Sequence, residues 1–262
     1  MTTVSRLTYL GASGPVAIAH RGGAATASNG KIENSLEAFQ DAVGRGFLFI
    51  ETDVRCSADG TVWAIHDETL TRLTGSPSVT AELNDEQLSR ERMDGRVGFV
   101  QLAEVLTALP DVRLNIDVKA QDAIGPTCDL IEAMGAVNRV CLSSFSHVRL
   151  RQIRRLLPSV TTGASRREVG LVKLFPAWLL AALHLPAADC LQVPVAAGRL
   201  TITTRRFIAR AHRLGLQVHV WTVDDADEMH RLLDLGVDGL MTDRTDVLKD
   251  VLLARGTWKE PT

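Results

Sequence analysis

One short segment of the chain, FIETDVRCSADGTVWAIHD (49–67), carries the carboxylates of Glu51 and Asp53 and the imidazole of His66 at spacings that could bring them together. The segment has the pattern of a β-hairpin, because an Asp-Gly pair (59–60) separates two β-rich runs and glycine adopts positive φ without a Cβ clash. With that pair as a two-residue loop, Asp53 is predicted to lie opposite His66. Paired residues point to one face of a sheet, and Glu51, two residues earlier, points to that face as well. The hairpin therefore predicts a metal-assisted acid–base site.

The elements that must position this hairpin follow a repeating strand–helix pattern. Apart from the hairpin's return strand, eight runs have the composition of strands: residues 16–19, 47–54, 112–118, 139–143, 160–164, 189–195, 217–223 and 237–242. They mostly alternate with helical segments, which predicts an α/β fold, a (β/α)8 TIM barrel. We expect a single domain over residues 1–262, with a small insertion after the second strand at about 67–101. The pattern is weakest between residues 165 and 200.

The first helix has a sequence signal for its start. Asn34 is a favourable N-cap residue, and Glu37 stands three positions later, so together they predict a capping box. Leu36, Phe39 and Val43 then recur at helical spacing. The helix would therefore begin directly after Asn34.

Composition limits the classes of protein to consider. The chain has 262 residues, 45% of them hydrophobic, which is enough for a sizeable core. A formal net charge of −2 gives no sign of a nucleic-acid partner. No stretch approaches the roughly 20 apolar residues of a membrane span, so no transmembrane segment is expected. The four cysteines are scattered without a CxxC pair, which favours reduced thiols and a cytoplasmic location.

Polar and ionisable residues accumulate where the predicted strands end. The strand ends carry His20-Arg21, Glu51-x-Asp53, Asp117-x-Lys119, Ser143-Ser144-Phe145, Trp221-Thr222 and Thr242-Asp243. In barrels of this class the chemistry lies at the carboxyl ends of the strands. These side chains are therefore predicted to converge at one rim of the barrel.

Three of these residues, Glu51, Asp53 and Asp117, are carboxylates, and three like charges at one place are unfavourable without a cation. Hard oxygen ligands without cysteine suit Mg²⁺ or Ca²⁺ better than Zn²⁺. We therefore predict one divalent cation, Mg²⁺ or Ca²⁺ with Mn²⁺ as a further candidate, held by these three side chains.

Two histidines and two cations complete the predicted site. His20 and His66 suit general acid–base catalysis, one accepting a proton from the nucleophile and the other donating one to the leaving group. Arg21 and Lys119 add positive charge, and the HRGG loop (20–23) could direct backbone N–H groups at an anion. A metal, Arg and Lys around one point indicate a phosphate group as the ligand.

These stretches resemble the glycerophosphodiester phosphodiesterase family. The matching segments are AHRGG (19–23), ENSLEAF (33–39), IETDVRCSADGTVWAIHDETLTRLTG (50–75), LNIDVKA (114–120), SSF (143–145), VWTVD (220–224) and GVDGLMTD (236–243). The resemblance implies a barrel of the phospholipase C-like class. It also implies metal-dependent hydrolysis of small-molecule glycerophosphodiesters to sn-glycerol 3-phosphate and an alcohol.

By that resemblance, His20 and His66 match the catalytic pair, while Glu51, Asp53 and Asp117 match the metal ligands. Arg21 and Lys119 match the phosphate-binding cations, and Trp221 matches a substrate-contacting aromatic that the sequence alone explains as core packing equally well. Asp117 stands where the family usually has glutamate and is one methylene shorter. The proline that usually precedes the ENS segment is absent, and the first loop is longer.

Two alternatives stay open from the sequence. The apolar segment LVKLFPAWLLAALHLP (171–186) could form a lipid-facing surface for a lysophospholipase D-like activity, although a buried barrel helix with its loop is the preferred interpretation. A non-catalytic metabolite- or metal-binding barrel is the other, because a fold does not guarantee activity. The head-group preference and the oligomeric state are not predicted.

Overall fold

The computed structural model describes residues 7–11, 14–26 and 31–259. Its main sheet contains eight parallel strands: β1 (Val16–His20), β2 (Phe49–Cys56), β3 (Arg113–Val118), β4 (Val140–Ser143), β5 (Thr161–Thr162), β6 (Cys190–Pro194), β7 (Gln217–Trp221) and β8 (Gly239–Thr242). The strand order in space is β5-β4-β3-β2-β1-β8-β7-β6. A parallel bridge between Gly163 and Cys190 joins the two ends of this order. The predicted (β/α)8 barrel is therefore confirmed.

Most helices follow the strands around the outside of the barrel. The helices are α1 (Leu7–Leu10), α2 (Leu36–Gly44), α3 (Thr71–Thr74), α4 (Asp85–Arg90), α5 (Leu102–Ala108), α6 (Ile124–Ala133), α7 (His147–Leu156), α8 (Arg166–Leu174), α9 (Ala177–Ala182), α10 (Arg205–Arg213), α11 (Ala226–Leu235) and α12 (Thr245–Ala254). Of these, α1 precedes β1, whereas α3 and α4 belong to the insertion. Short 3₁₀ turns lie at Thr80–Glu82 and Val137–Arg139. Within the described residues, no helix is long and apolar enough to cross a bilayer.

Alternation along the strands separates the apolar core from the site. In β3, Leu114, Ile116 and Val118 belong to the large apolar cluster beneath the helices. The residues between them, Asn115 and Asp117, are buried on the opposite face, which in a barrel is the interior. The sequence pattern of β3 thus gives helix packing on one face and a buried carboxylate on the other.

The insertion has structure of its own. Between the return strand of the hairpin (Val62–Ala64) and α5 lie α3, α4 and a two-stranded ribbon (Arg92–Met93 with Val97–Gly98). Its buried side chains, Leu88 and Met93 among them, form a second apolar cluster. The division of the whole chain into a single domain stays a prediction.

The hairpin pairs one residue out of the predicted register. Ile65 N donates to Asp53 O at 2.9 Å, so Asp53 lies opposite Ile65. The last pair before the turn is Ser57 with Thr61, so the loop holds three residues (58–60) rather than two. The predicted pairing of Asp53 with His66 is therefore wrong.

The start of α2 also differs from the prediction. Ser35 is the N-cap, and its side chain accepts a hydrogen bond from Ala38 N. Asn34 instead adopts a left-handed backbone with φ 58°, a conformation that asparagine tolerates better than most residues. The capping box predicted on Asn34 is wrong because its amide takes part in the site described below.

The apolar segment 171–186 forms the end of α8, the whole of α9 and the loop after it. Val172 and Leu180 are buried, but Leu174 and Trp178 are 76% and 73% exposed. The preferred interpretation of this segment as buried is therefore wrong for the side chains on its outer face.

Candidate active site

The turn after β1 depends on two glycines. Gly22 and Gly23 have φ of 84° and 85°, a region that side chains with Cβ rarely adopt. A Cβ on Gly22 would lie 2.8 Å from Ala38 atoms in α2, and one on Gly23 would lie 2.9 Å from Thr245 in α12. The turn is therefore packed tightly between two helices, which fixes the end of the strand and His20 with it.

The backbone N–H groups of this turn are engaged within the protein. Arg21 N donates to Glu51 O at 3.0 Å and to Glu51 Oε2 at 3.2 Å. The two glycine N–H groups donate to the carbonyl oxygens of Ala19 and His20. The Arg21 N–H therefore faces the side-chain carboxylate of Glu51, while the two glycine N–H groups close the tight turn.

Each predicted catalytic histidine is paired with a carboxylate. His20 Nδ1 lies 2.7 Å from Asp243 Oδ1, and His66 Nδ1 lies 2.7 Å from Asp67 Oδ1. A carboxylate at Nδ1 holds the proton there and leaves Nε2 free for proton transfer. The site therefore contains two histidine–aspartate pairs at the barrel rim.

His66 reaches the site although its predicted pairing was wrong. The return strand ends at Ala64, so His66 lies beyond the regular hairpin. Its ring still interacts electrostatically with the carboxylates of Asp53 and Asp117. The irregular backbone after the strand therefore directs the imidazole toward the strand ends.

The three predicted metal ligands are buried and close together. Glu51, Asp53 and Asp117 are 5%, 1% and 7% exposed. Lys119 Nζ lies 2.7 Å from Asp53 Oδ1 and 2.7 Å from Asp117 Oδ2. Arg21 Nε lies 3.0 Å from Asp53 Oδ2. The structure thus brings the predicted carboxylates and the predicted phosphate-binding cations into one cluster.

Burial and charge act on these groups in opposite directions. Burial raises the pKa of Glu51, and the neighbouring Asp53 raises it further. Burial also favours a higher pKa for Asp53, but Lys119 and Arg21 outweigh it, so the pKa of Asp53 lies below its ordinary value. Burial disfavours the charged form of His20, yet Glu51 and Asp243 raise its pKa above the ordinary value. Both shifts favour the protonated form of the group, and Glu51 Oε2 lies 3.7 Å from His20 Nε2.

Glu33 and Arg72 are functional candidates that sequence reasoning missed. Arg72 Nε donates to Asp67 Oδ2 at 2.7 Å, and its two terminal nitrogens bind Glu33 at 2.8 and 2.6 Å. Glu33 Oε1 also accepts from Arg21 Nη1 at 2.9 Å. This chain of ion pairs connects the His66–Asp67 pair with the carboxylate cluster.

Asn34 is a third residue whose role the sequence did not show. Its Nδ2 donates to Asp53 Oδ2 at 3.1 Å, and its Oδ1 accepts from Thr52 Oγ1 at 2.8 Å. The signal was present in the ENS segment (33–35), but the capping interpretation assigned it to the helix start. Asn34 therefore orients a predicted metal ligand from outside the strand.

An aromatic pair lies at the mouth of the site. Trp221 and Phe145 meet edge to face with ring centroids 5.7 Å apart. Lys119 Nζ lies 5.6 Å from the Phe145 ring, and the Arg166 guanidinium lies 4.7 Å from it. Trp221 also packs against an apolar cluster of the barrel strands, so the packing role that the sequence left open is observed.

The chemistry of these oxygen donors, though not their spacing in this conformation, suits a hard divalent cation. Asp117 Oδ1 is buried, and no hydrogen-bond partner lies near it in the described part of the chain. The nearby Glu51 and Asp53 supply further oxygen ligands of the kind that Mg²⁺ and Ca²⁺ prefer. Among residues 7–11, 14–26 and 31–259, no group of three or more His, Cys, Asp or Glu side chains has the spacing of a metal site. In the conformation seen, Lys119 contacts both Asp53 and Asp117.

The fold and the site together define a TIM-barrel hydrolase with two histidine–carboxylate pairs around a buried acidic cluster. The model of the glycerophosphoryl diester phosphodiesterase family matches residues 20–247, and the chain belongs to that family. It is therefore an enzyme of the glycerophosphodiester phosphodiesterase class. The resemblance found in the sequence is confirmed.

Similar proteins agree with this assignment. The protein called probable glycerophosphodiester phosphodiesterase 2 of Mycobacterium tuberculosis is 40% identical over 260 residues, which cover 95% of each chain. A crystal structure from Silicibacter pomeroyi has a TM-score of 0.80 at 21% identity, covering 97% of this chain and 99% of that one. A phosphodiesterase of Oleispira antarctica, solved with sn-glycerol-3-phosphate, has a TM-score of 0.75 at 20% identity and covers 91% of this chain and 97% of its own.

Proposed function

We propose that this enzyme hydrolyses glycerophosphodiesters to sn-glycerol 3-phosphate and an alcohol, using a divalent cation and two histidines. The observation that carries the proposal is the pair of histidine–aspartate contacts at 2.7 Å, near the acidic cluster in β2 and β3. The product is that of the Oleispira antarctica complex. Family membership supports the substrate class.

The two histidines divide the proton transfers between them. One Nε2 accepts a proton from the nucleophile, which is water or the substrate's own glycerol 2-hydroxyl. The other donates a proton to the departing alcohol oxygen. Asp243 and Asp67 hold the two imidazoles so that each Nε2 is the reacting atom.

The buried cluster binds the phosphate. A divalent cation held by Glu51, Asp53 and Asp117 would supply positive charge and polarise the phosphoryl group. Arg21 and Lys119 stand at the same carboxylates, from which their cationic groups can turn to the phosphate oxygens. Asn34 keeps Asp53 in place during that exchange.

The test compares three alanine variants. His20→Ala and His66→Ala should each lower kcat by about 10²–10⁴-fold on glycerophosphocholine, the range for general acid–base groups. His212→Ala is the matched control, because His212 Nε2 also pairs with an aspartate, Asp238, at 2.8 Å but lies in α10, outside the cluster. Near-normal turnover in either site variant, with circular dichroism unchanged, would refute the two-histidine mechanism.

Binding of the divalent cation is tested separately from turnover. Mg²⁺, Ca²⁺ and Mn²⁺ should each be titrated into chelator-treated protein by calorimetry, with Asp117→Asn as the ligand variant. Binding should be weakened in that variant independently of any effect on turnover, because a neutral amide replaces a buried carboxylate. Equal affinities for the two proteins would remove Asp117 from the ligand set.

A lysophospholipase D-like activity is the second candidate, favoured by the exposed apolar side chains of α8 and α9. Choline release should be measured from glycerophosphocholine and from lysophosphatidylcholine. Release from the first alone supports the primary proposal, and comparable release from the second supports the alternative. A cytoplasmic location stays a prediction, to be checked by cell fractionation.

A further inference from the structure

One region of the chain has a clear excess of positive over negative charge. Residues 164–213, which run from the end of β5 to α10, contain eight Lys and Arg side chains and two carboxylates. The complete chain has a formal net charge of −2, so the remainder is strongly acidic. Of the two carboxylates, Glu168 is buried and ion-paired with Arg154, and Asp189 bonds the backbone of β5. The surface of this region is therefore basic.

The same region also exposes large apolar side chains. They are Leu174 at 76%, Phe175 at 42%, Trp178 at 73%, Leu183 at 58% and Leu200 at 56%. Large apolar patches on soluble proteins mark interaction sites more often than single exposed residues do. We call these five residues the apolar patch.

The contacts of α8 connect the apolar patch with the basic residues around it. Lys173, next to Leu174, donates from Nζ to the carbonyl oxygens of Thr201 and Ile202. It thus contacts a short second hairpin, formed by Ala196–Ala197 and Leu200–Thr201, that carries Leu200. That hairpin follows the carboxyl end of β6, on the rim where the active site lies. The patch therefore extends from the outer wall of the barrel to its catalytic face.

Basic side chains flank the patch from α10. Arg210 Nη1 donates to the carbonyl oxygens of Val172 and Lys173, which joins α10 to the end of α8. A small cavity of about 170 Å³ between the two helices is lined by Lys173 and Arg206 among others. Arg205 and Arg206, in the first turn of α10, are exposed. Apolar and cationic groups are thus combined on one surface.

We propose that this surface docks the enzyme on an anionic lipid bilayer. Tryptophan and leucine side chains enter the interfacial region of a bilayer, while Arg and Lys bind the anionic head groups. A second copy of the chain is a poorer occupant, because a two-fold interface would set the basic residues of one copy against the same residues of the other. The proposal concerns the surface alone and does not depend on which phosphodiester the site hydrolyses.

The experiment measures binding of the full chain to vesicles. Vesicles of phosphatidylcholine with phosphatidylglycerol should sediment the protein, and binding should fall steeply at high salt because the head-group attraction is screened. Tryptophan fluorescence should shift to the blue on binding. Vesicles of phosphatidylcholine alone should bind at least about tenfold more weakly, since several basic residues each contribute at the anionic surface.

Two pairs of variants separate the apolar and the charged contributions. Trp178→Ser should abolish the blue shift and weaken binding about tenfold, whereas Leu253→Ser, at a residue 50% exposed on α12, should leave both unchanged. Arg205→Glu with Arg206→Glu should weaken binding by at least about tenfold. Arg90→Glu with Arg96→Glu, on the insertion, makes the same change in net charge and should have little effect.

Each other outcome overturns the proposal. Wild-type protein that binds neither vesicle, or variants and controls that lose binding equally, would show that this surface does not dock on anionic lipid. Concentration-dependent dimers in solution that Trp178→Ser abolishes, without vesicle binding by the wild type, would assign the patch to a second copy instead. Turnover of a soluble glycerophosphodiester should be unchanged in all four variants, so failure of this proposal and failure of the proposed function are distinguishable.

Discussion

Replacing Asp243 with asparagine tests how the structure prepares His20 for proton transfer. Asp243 Oδ1 lies 2.7 Å from His20 Nδ1, and an ionised carboxylate there keeps the ring proton on Nδ1. An amide at this place can donate to Nδ1 and so favour the tautomer in which Nε2 is already protonated. The charge-assisted hydrogen bond is worth about 1.5–3 kcal/mol. At about 1.36 kcal/mol per factor of ten, its loss corresponds to about 10- to 150-fold in rate.

The assay is steady-state hydrolysis of glycerophosphocholine at saturating divalent cation. Asp243→Asn should lower kcat by that factor and leave KM within about twofold, because Asp243 acts through His20 rather than on the substrate. Asp246→Asn is the matched control, since Asp246 lies near Asp243 in sequence but pairs with Arg244. Its kcat should equal that of the wild type.

A double-variant cycle gives the sharpest form of this test. If Asp243 works only by positioning His20, adding Asp243→Asn to His20→Ala should cost no further activity. Additive losses would refute the positioning role, and an Asp243→Asn variant with wild-type kcat would refute the tautomer argument itself.

Four further predictions follow from particular contacts. Gly22→Ala should lower the free energy of unfolding in urea by about 2–4 kcal/mol, because the new Cβ would lie 2.8 Å from α2 and the backbone is left-handed. Gly44→Ala is the control: nothing lies near its Cβ, so the change should be neutral or slightly stabilising. Burial opposes ionisation of Glu168, but its partner Arg154 outweighs burial, so the pKa of Glu168 lies below its ordinary value. The ion pair therefore stabilises the fold fully above about pH 4.3, and this stabilisation is lost as the pH falls through the lowered pKa. The stability gap between wild type and Glu168→Gln, measured by thermal unfolding at several pH values, should therefore narrow in acid, and a constant gap would contradict this. Arg166→Ala should raise the ratio of kcat/KM for glycerophosphocholine to that for glycerophosphoglycerol about two- to fivefold. The reason is that Arg166 covers the face of the Phe145 ring, which then becomes available to a choline cation. An unchanged ratio would exclude Arg166 from head-group selection. Calorimetric binding of sn-glycerol 3-phosphate should require a divalent cation, and equal affinity in chelator would contradict the cation's role in phosphate binding.

The barrel could be predicted from sequence because its signal is distributed over the whole chain. Eight strand-like runs alternating with helices leave few other folds, and an error of a few residues at any boundary does not change the count. The site residues at the ends of β1, β2 and β3 were predictable for the same reason, since topology alone carries these ends to one rim.

Local geometry was less predictable because it depends on single residues. The hairpin loop has three residues instead of two, and this difference of one residue moved Asp53 from His66 to Ile65. Asn34 has the side chain of a helix cap, but the packing of the turn gives it a left-handed backbone and a place beside Asp53. Neither the length of the hairpin loop nor the backbone conformation of Asn34 can be read from the local sequence.

Partners distant in sequence were the hardest part to predict. Asp243 stood at the end of a predicted strand without a role, because only closure of the barrel brings β8 beside β1 and places that carboxylate on His20, 223 residues away. Arg72 lies in the insertion, and nothing in the local pattern ties it to Glu33.

The balance of charge around the cluster explains why a cation should be needed for substrate binding. Within the described residues, six carboxylates take part in the network: Glu33, Glu51, Asp53, Asp67, Asp117 and Asp243. Three permanent cations oppose them: Arg21, Arg72 and Lys119. A phosphodiester is itself an anion, and its approach to this excess of negative charge is unfavourable in a buried site of low dielectric. A divalent cation among the oxygen atoms of β2 and β3 would offset this excess and would release Lys119 from Asp53 and Asp117 to meet the phosphate.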